Sequence, residues 1–492
     1  MTARPITRIA IAGGGVAAWA AALAFARRLP GTQVTVVPTD DAPCGMADRF
    51  GTMQVSARDF HLRAGIDERK LLATCGGAFR LGTRFDGWMR MGGHFVRPIG
   101  GHGRSVSGVP FHQAWIAAAH RGAAPAFDRF SPAAALISAG RFRPPAVDAR
   151  SPFWGFDVAI AVDPAAYREV LRQAALAANV ATASRLCGVS ATGERVTGLH
   201  GVDGETIDAD LYVDASGSAA ALLSSLEGGD ARRDWSHWLP NDRVQVTRER
   251  SGPELIPADI VMAERVGWRL TSDLPAGRTI ARVYSSRRLK DETVARALGD
   301  AAERLEIRPG RRAAAWIGNC VAIGDAAVEC EPLEAPHCHL IHAAIDRILN
   351  LLPDTEFAPL ELARYNREWG EEADRLRDFL ILHHAVSGRN DPCWKRLRDV
   401  ELPDELNYAL ALFRERGRLP LRNFGSFGPE AWYAVLLGAS VLPRHADALA
   451  DNLTAQQFAS FADTFLGAMA TELNAAPRHD TVLARLRSAR AA

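Results

Sequence analysis

The sequence predicts an α/β chain, α+β when taken over its full length. Three observations carry that prediction. A short apolar strand runs through three glycines into an apolar helix at the start of the chain. Helical and strand-like periods alternate again up to Val213. Beyond Pro353 the apolar spacing is almost wholly helical.

The first element is the most specific. Thr7-Arg8-Ile9-Ala10-Ile11-Ala12 reads as a buried strand, Gly13-Gly14-Gly15-Val16-Ala17-Ala18 follows, and an apolar helix runs from Trp19 to Arg28. This is G-x-G-x-x-A between a strand and a helix, the context that a dinucleotide-binding turn of a Rossmann-like domain requires. Gly13 and Gly15 permit the tight turn and the close approach of a pyrophosphate. Ala18 permits close helix–strand packing, the helix N-terminus faces the phosphates, and Ala17 beside it counts among the cofactor-binding residues. Gln33 to Val37 supplies the next strand. Such a strand normally ends in an acid for the ribose hydroxyls. Here Val37 is followed by Pro38-Thr39-Asp40-Asp41. Asp40 or Asp41 then serves from a shifted position, or both are solvated loop residues.

The remaining elements follow in order. Pro164 to Ala178 reads as a helix, with strands from there to Val213. Asn319 to Ile323 is a strand ending in Gly324-Asp325. It leads through Glu331-Pro332-Leu333-Glu334 to a helix over His337–Leu352. Residues 91–150 are rich in Gly and Pro and read as loops, and residues 230–280 read as mixed strands. Helices are predicted over Leu360–His384, Pro403–Arg416, Pro429–Leu437 and Ala455–Ala475, with a frayed basic tail from Pro477. The expected organisation is a nucleotide-binding domain from residues 1–90, 155–228 and 305–352. Residues 91–154 and 229–304 give a substrate-side sheet and loops, and residues 353–492 a helical region.

Composition excludes several classes of partner. Lys plus Arg is 58 against 57 for Asp plus Glu, so charge gives no basis for binding nucleic acid or an anionic membrane. Nothing approaches a membrane-spanning apolar run, and the apolar stretch Ile9–Phe25 is broken by glycines and lacks a signal-peptide pattern. The seven cysteines show no framework spacing, which points to reduced thiols and a cytoplasmic protein. Cys330 and His337-Cys338-His339 look metal-like. Adjacent ligands on one helical turn cannot all reach one ion, so no metal is expected.

Gly324-Asp325 and Asp214-Ala215-Ser216-Gly217, together with the glycine turn, resemble the three nucleotide elements of FAD enzymes of the p-hydroxybenzoate hydroxylase type. The resemblance implies FAD, with Asp325 on the ribityl chain and the following helix aimed at the isoalloxazine. No second G-x-G-x-x-G fingerprint is visible for NAD(P)H, so a separate flavin reductase is expected to deliver the reduced cofactor.

Cys75-Gly76-Gly77-Ala78-Phe79-Arg80-Leu81-Gly82-Thr83-Arg84-Phe85-Asp86-Gly87-Trp88 resembles the active-site segment of flavin-dependent tryptophan halogenases. Phe95-Val96-Arg97-Pro98-Ile99-Gly100, His102-Gly103 and Val109-Pro110-Phe111-His112 resemble that family's aromatic-proline segment, and Trp268 its tryptophan motif. Arg377 to His384 resembles its C-terminal helix, so the likeness runs nearly end to end. It implies a substrate side around Phe95, Pro98, Phe111 and Trp268. Cofactor contacts are implied at Pro332 and Leu333, and a carboxylate base at Glu334.

Four departures fall on functional positions. Arg80 stands where the family has a lysine that handles the oxidised halogen; an amine can lose a proton and a guanidinium in practice cannot. Phe50-Gly51-Thr52-Met53 replaces a glutamate-bearing strap over the flavin. The W-x-W-x-I-P motif becomes Trp268 to Pro275, with Leu-Pro displaced by two. The halide loop becomes Glu334-Ala335-Pro336-His337, in which Pro336 has no N–H to offer a halide. Arg80 and Glu334 are expected to form a bidentate pair. The resulting expectation is an FAD- and oxygen-dependent enzyme acting on an indole or on tryptophan, free or within a polypeptide. Halogenation is impaired and hydroxylation favoured. The alternatives are a silent FAD-fold protein paired with a halogenase paralogue, and a residual halogenase; a paralogue or a second copy of the chain is the protein partner allowed for.

Overall fold

The computed structural model describes residues 4–39, 45–299, 301–420 and 426–488. They form two units. One comprises Met1–Gly77, Ile160–Asp242 and Leu305–Asp374; the other comprises Ala78–Ala159, Arg243–Arg304 and Arg375–Ala492. The helical stretch after Leu352 thus divides between them.

The first unit is built on a six-stranded sheet. Its order is Trp316–Ile317, Cys320–Ala322, Leu211–Asp214, Arg8–Ala12, Gln33–Val37 and Ala181–Thr182. Every neighbouring pair is parallel except the outer Trp316–Ile317 hairpin. A parallel sheet is covered on both faces, which is why Ile9 to Ala12 and Leu211 to Asp214 are buried without alternation. Register brings Ala12 level with Val37 and Asp214, and Asp214 level with Ala322. The carboxyl ends of four strands therefore meet along one edge, where an open α/β sheet binds its ligand. The helix Val16–Arg28 leaves that edge with Ala18 to Phe25 wholly buried. The helices Pro164–Ala177 and His337–Asn350 fall where the sequence placed them, the latter two residues shorter.

Six strands of the second unit's sheet run in the order Arg243–Glu249, Gly277–Tyr284, Trp268–Leu274, Asp259–Ala263, Gly82–Asp86 and His94–Pro98. All pairs are antiparallel except Asp259–Ala263 with Gly82–Asp86. Thr279, Ala281 and Val283 are buried while Ile280 and Arg282 between them are half-exposed, the period of a sheet with unequal faces. The displaced Leu274-Pro275 sits at the hairpin end, where Leu274 pairs with Gly277.

Two expectations need correction. Residues 91–150 are not a loop: they contain the strand His94–Pro98 and the helices Phe111–His120 and Pro132–Ala139. Their Pro and Gly punctuate those helices. Pro132 follows the cap Ser131, whose Oγ accepts the Ala134 N–H, and Gly140 closes the helix at φ +60°. The tail is not frayed through its length either. His479–Ser488 is a helix, anchored by the fully buried His479, whose Nδ1 bonds the Leu255 carbonyl at 2.9 Å. No helix among the described residues is long and apolar enough to cross a membrane.

Candidate functional site

At the strand ends of the first unit lies a cleft lined by Gly14, Gly15 and Ala17 on one side and by Ser216, Gly324 and Asp325 on others. The backbone demands glycine at Gly13, and a side chain crowds Gly15. Gly13 has φ +138°, and a Cβ would stand 2.4 Å from the Ala215 carbonyl oxygen. A Cβ on Gly15 would stand 2.4 Å from a carboxylate oxygen of Asp48. Ala18 packs behind the turn, its methyl 3.4 Å from that imagined Cβ of Gly13. Gly15 caps the Val16–Arg28 helix without a side chain, so the positive end of the helix dipole faces the cleft, although the Val16 N–H itself is taken by Asp48. A glycine-floored cleft at a helix N-terminus fits the diphosphate of a dinucleotide.

Two carboxylates shape this cleft, and only one was expected. Asp325 takes the Met46 N–H on Oδ2 at 2.7 Å. Burial pushes its carboxyl up to about 7, with Glu329 and Asp48 adding to the rise. Asp48 was not read from the sequence, because a residue in an aperiodic loop carries no pattern. Its Oδ1 accepts the Val16 N–H at 3.1 Å and lies 3.3 Å from Arg168, with the side chain 4% exposed. Burial raises its pKa, against the opposing pull of the Val16 N–H and Arg168. Asp214 is a structural brace: it takes the Ser216 N–H and hydroxyl on one oxygen and the Leu222 and Leu223 N–H groups on the other. Asp40 lies outside the described residues.

Downstream, Pro332 and Leu333 are buried ahead of a strained turn. Glu334 and Ala335 have φ of +62° and +49°, and Pro336 then caps the His337–Asn350 helix. The Gln54 amide donates to the Glu334 carbonyl at 2.6 Å. His337 is 3% exposed, and neither ring nitrogen has a hydrogen-bond partner. Burial holds its imidazole neutral, with its pKa down to about 3. His339, by contrast, is committed to Ser56 and Glu372. Among the described residues no group of three His, Cys, Asp or Glu is placed to hold a metal.

Arg80 belongs to the second unit and is 1% exposed. Its Nε donates to Asp259 at 2.9 Å, Nη1 to the Phe79 carbonyl at 3.2 Å, and Nη2 to Ser272 Oγ and the Asp273 carbonyl, each at 2.9 Å. Asp259 also takes the Ser272 hydroxyl at 2.7 Å. The carboxylate partner of Arg80 is therefore Asp259, where the sequence pointed to Glu334. Asp259 was missed because it lies 179 residues away on a strand that carries no motif.

The same unit holds a pocket of about 400 Å³ lined by His102, Phe111, His112, Phe127, Trp154 and Glu430 among others. His102 stacks on Phe127 with centroids 4.1 Å apart, and burial holds its pKa to about 3. Phe111 leads its helix into this wall. Phe95 is taken up in a stack with Phe85 at 4.9 Å, Pro98 is buried at the end of the same strand, and Trp268 is fully buried in the sheet. Glu430 lies at the solvent-accessible rim, where partial loss of hydration raises its carboxyl.

The profile of the tryptophan halogenase family matches residues 8–455. The chain is 28% identical to tryptophan 6-halogenase SttH of Streptomyces toxytricini, over 93% of this chain and 94% of that protein. It is 25% identical to tryptophan 7-halogenase RebH of Lentzea aerocolonigenes, over 89% and 90%. Among solved structures it is similar to BrvH, a flavin-dependent halogenase from Brevundimonas sp. BAL3, with a TM-score of 0.92, 29% identity and coverage of 98% and 99%. The flavin-dependent halogenase Xcc4156 from Xanthomonas campestris gives 0.91 and 29% at the same coverage.

Proposed function

The chain belongs to the tryptophan halogenase family, and on that premise we propose that it oxidises an indole-type aromatic with reduced FAD and oxygen, with halogen transfer disabled at residue 80. FAD, once reduced by a separate flavin reductase, supplies the activation of oxygen. The protein's own residues do the rest. Gly13, Gly15 and the Val16 helix end would seat the diphosphate, and Asp325, which lines the same cleft, would meet the chain beyond it. Phe111, Phe127 and Trp154 give flat apolar walls for an aromatic ring, and neutral His102 adds a hydrogen-bonding face that desolvation keeps uncharged.

The commitment of Arg80 carries the disabling half of this reading. Four of a guanidinium's five N–H groups are spent on Asp259, Ser272 and two carbonyls. At most one Nη1 N–H is left to donate, and the side chain lacks the removable proton that an amine offers. Pro336 supports it, since a loop that would offer main-chain N–H groups to a halide has one fewer.

The test is product analysis. The purified protein is given FAD, a flavin reductase, chloride or bromide, and indole or tryptophan, under ¹⁸O₂. The expected product carries ¹⁸O on the ring. A halogenated ring as the main product overturns the proposal. A flavin-loaded protein with no ring product favours a silent partner of a halogenase paralogue.

A further inference from the structure

We propose that His337 is a positioning residue of the cofactor site, contacting the flavin half of bound FAD through its imidazole. The inference rests on the FAD reading above and adds a residue to it.

Four observations bear on the imidazole. His337 opens a fourteen-residue helix immediately after Pro336, so the turn entering that helix lacks one main-chain donor. Its ring is 3% exposed with both nitrogens unpartnered, although one of them must carry a proton. Ile341, one helical turn on and on the same face, lines the nucleotide cleft. His337 Nδ1 also lies 3.9 Å from Oδ1 of Asp325, which lines the cleft.

A buried donor and acceptor left unmet in the cofactor-free protein are a standing penalty that a ligand removes by pairing with them. The diphosphate would be taken by the glycine turn, at the end of the strand Arg8–Ala12. His337, Asp325 and Ile341 belong to the segment after Cys320–Ala322, two strands away in the sheet. The adenosine half would then lie on the other side, toward Gln33–Val37, the strand next to Arg8–Ala12 in the opposite direction. The half that extends toward His337 is the ribityl-isoalloxazine, whose pyrimidine edge carries both carbonyl acceptors and an N–H donor. A neutral imidazole suits that edge, since it can give and take a hydrogen bond without bringing a charge.

The test compares FAD with ADP, which keeps the diphosphate but has no flavin. In His337→Phe, which keeps a ring and loses both nitrogens, FAD is expected to bind about tenfold more weakly. ADP should bind as it does to the wild type, and the reduction potential of the bound flavin should move. His337→Gln, which keeps a donor and an acceptor, should recover most of the FAD affinity. If Phe prevents folding, His337→Leu, which is smaller and equally apolar, carries the same expectation. Equal FAD affinity and an unchanged potential in the apolar variant overturn the proposal and leave His337 as packing. A wild type that binds neither FAD nor ADP overturns the FAD reading itself.

Discussion

Arg80 and Asp259 are each other's ion partners, Nε to Oδ1 at 2.9 Å, inside a unit where Arg80 is 1% exposed. A guanidinium taken so fully out of water is tolerable only because a carboxylate, a hydroxyl and two carbonyls surround it. The position that resembles a catalytic lysine site is thus part of what holds the sheet strands Asp259–Ala263 and Trp268–Leu274 to the segment at Phe79-Arg80.

Removing one partner strands the other. Asp259→Ala is expected to destabilise the second unit by about 3–5 kcal/mol, and Asp259→Asn by less because an acceptor remains. Replacing both partners with apolar residues, as in Arg80→Met with Asp259→Leu, should recover most of the loss. Denaturant unfolding monitored in that unit measures all three. A double variant as damaged as Asp259→Ala would show that the pair does more than compensate its own burial.

A lysine at residue 80 should not restore halogenation. In Arg80→Lys the amine would lie against Asp259 and Ser272, and a neighbouring carboxylate favours the charged ammonium. Assays with a reductase and bromide are expected to give no more halogenated indole than the unaltered chain. A rise of tenfold or more would mean that the amine escapes this cage and that residue 80 alone withheld the activity.

These two residues also mark how much the sequence could tell. Gly13, Gly15, Gly324 and Asp325 were legible because a tight turn at a strand end admits few residue types. The helices after Pro353 were legible because one face of each is apolar at helical spacing. Asp48 and Asp259 were not, since each matters through a partner that folding brings near, Val16 for one and Arg80 for the other. Residues 91–150 were misread because Gly and Pro at helix ends look the same in sequence as Gly and Pro in loops.

Asp48 sits at the helix end proposed for the diphosphate. Its carboxylate already uses the Val16 N–H at the helix end that should receive a diphosphate, and two anions compete there. Asp48→Asn is expected to tighten FAD binding by roughly three- to tenfold at neutral pH, an effect that salt should reduce. Fluorescence titration decides. Weaker binding in the variant would mean that Asp48 orders the site and does not obstruct it.

Asp325 should make the cofactor-free protein sensitive to pH. Its folded pKa, about 7, is raised above the ordinary 3.8. Its contribution to stability is therefore fully present below about pH 4 and is lost as pH rises toward 7. Between pH 4 and 8 the wild type should lose on the order of 2–4 kcal/mol more than Asp325→Asn, which cannot ionise. Parallel unfolding series of the two proteins give that difference directly. Curves of equal slope would mean that the carboxylate is hydrated or paired when ionised.

Glu430 should sort substrates by charge. It lies at the rim of the pocket walled by Phe111, Phe127 and Trp154, and partial dehydration makes its carboxylate a better partner for a cation than a fully solvated one would be. An aromatic bearing an ammonium group, such as tryptamine or tryptophan, can place that group at the rim with its ring between the walls; indole cannot. Glu430→Gln is therefore expected to weaken binding of the ammonium-bearing compounds by about three- to tenfold, the modest scale of a solvent-accessible ion pair, and to leave indole unchanged. Calorimetric titration of both classes makes the comparison. An equal loss for indole would place the effect in the shape of the pocket, and no loss for either would remove Glu430 from substrate selection.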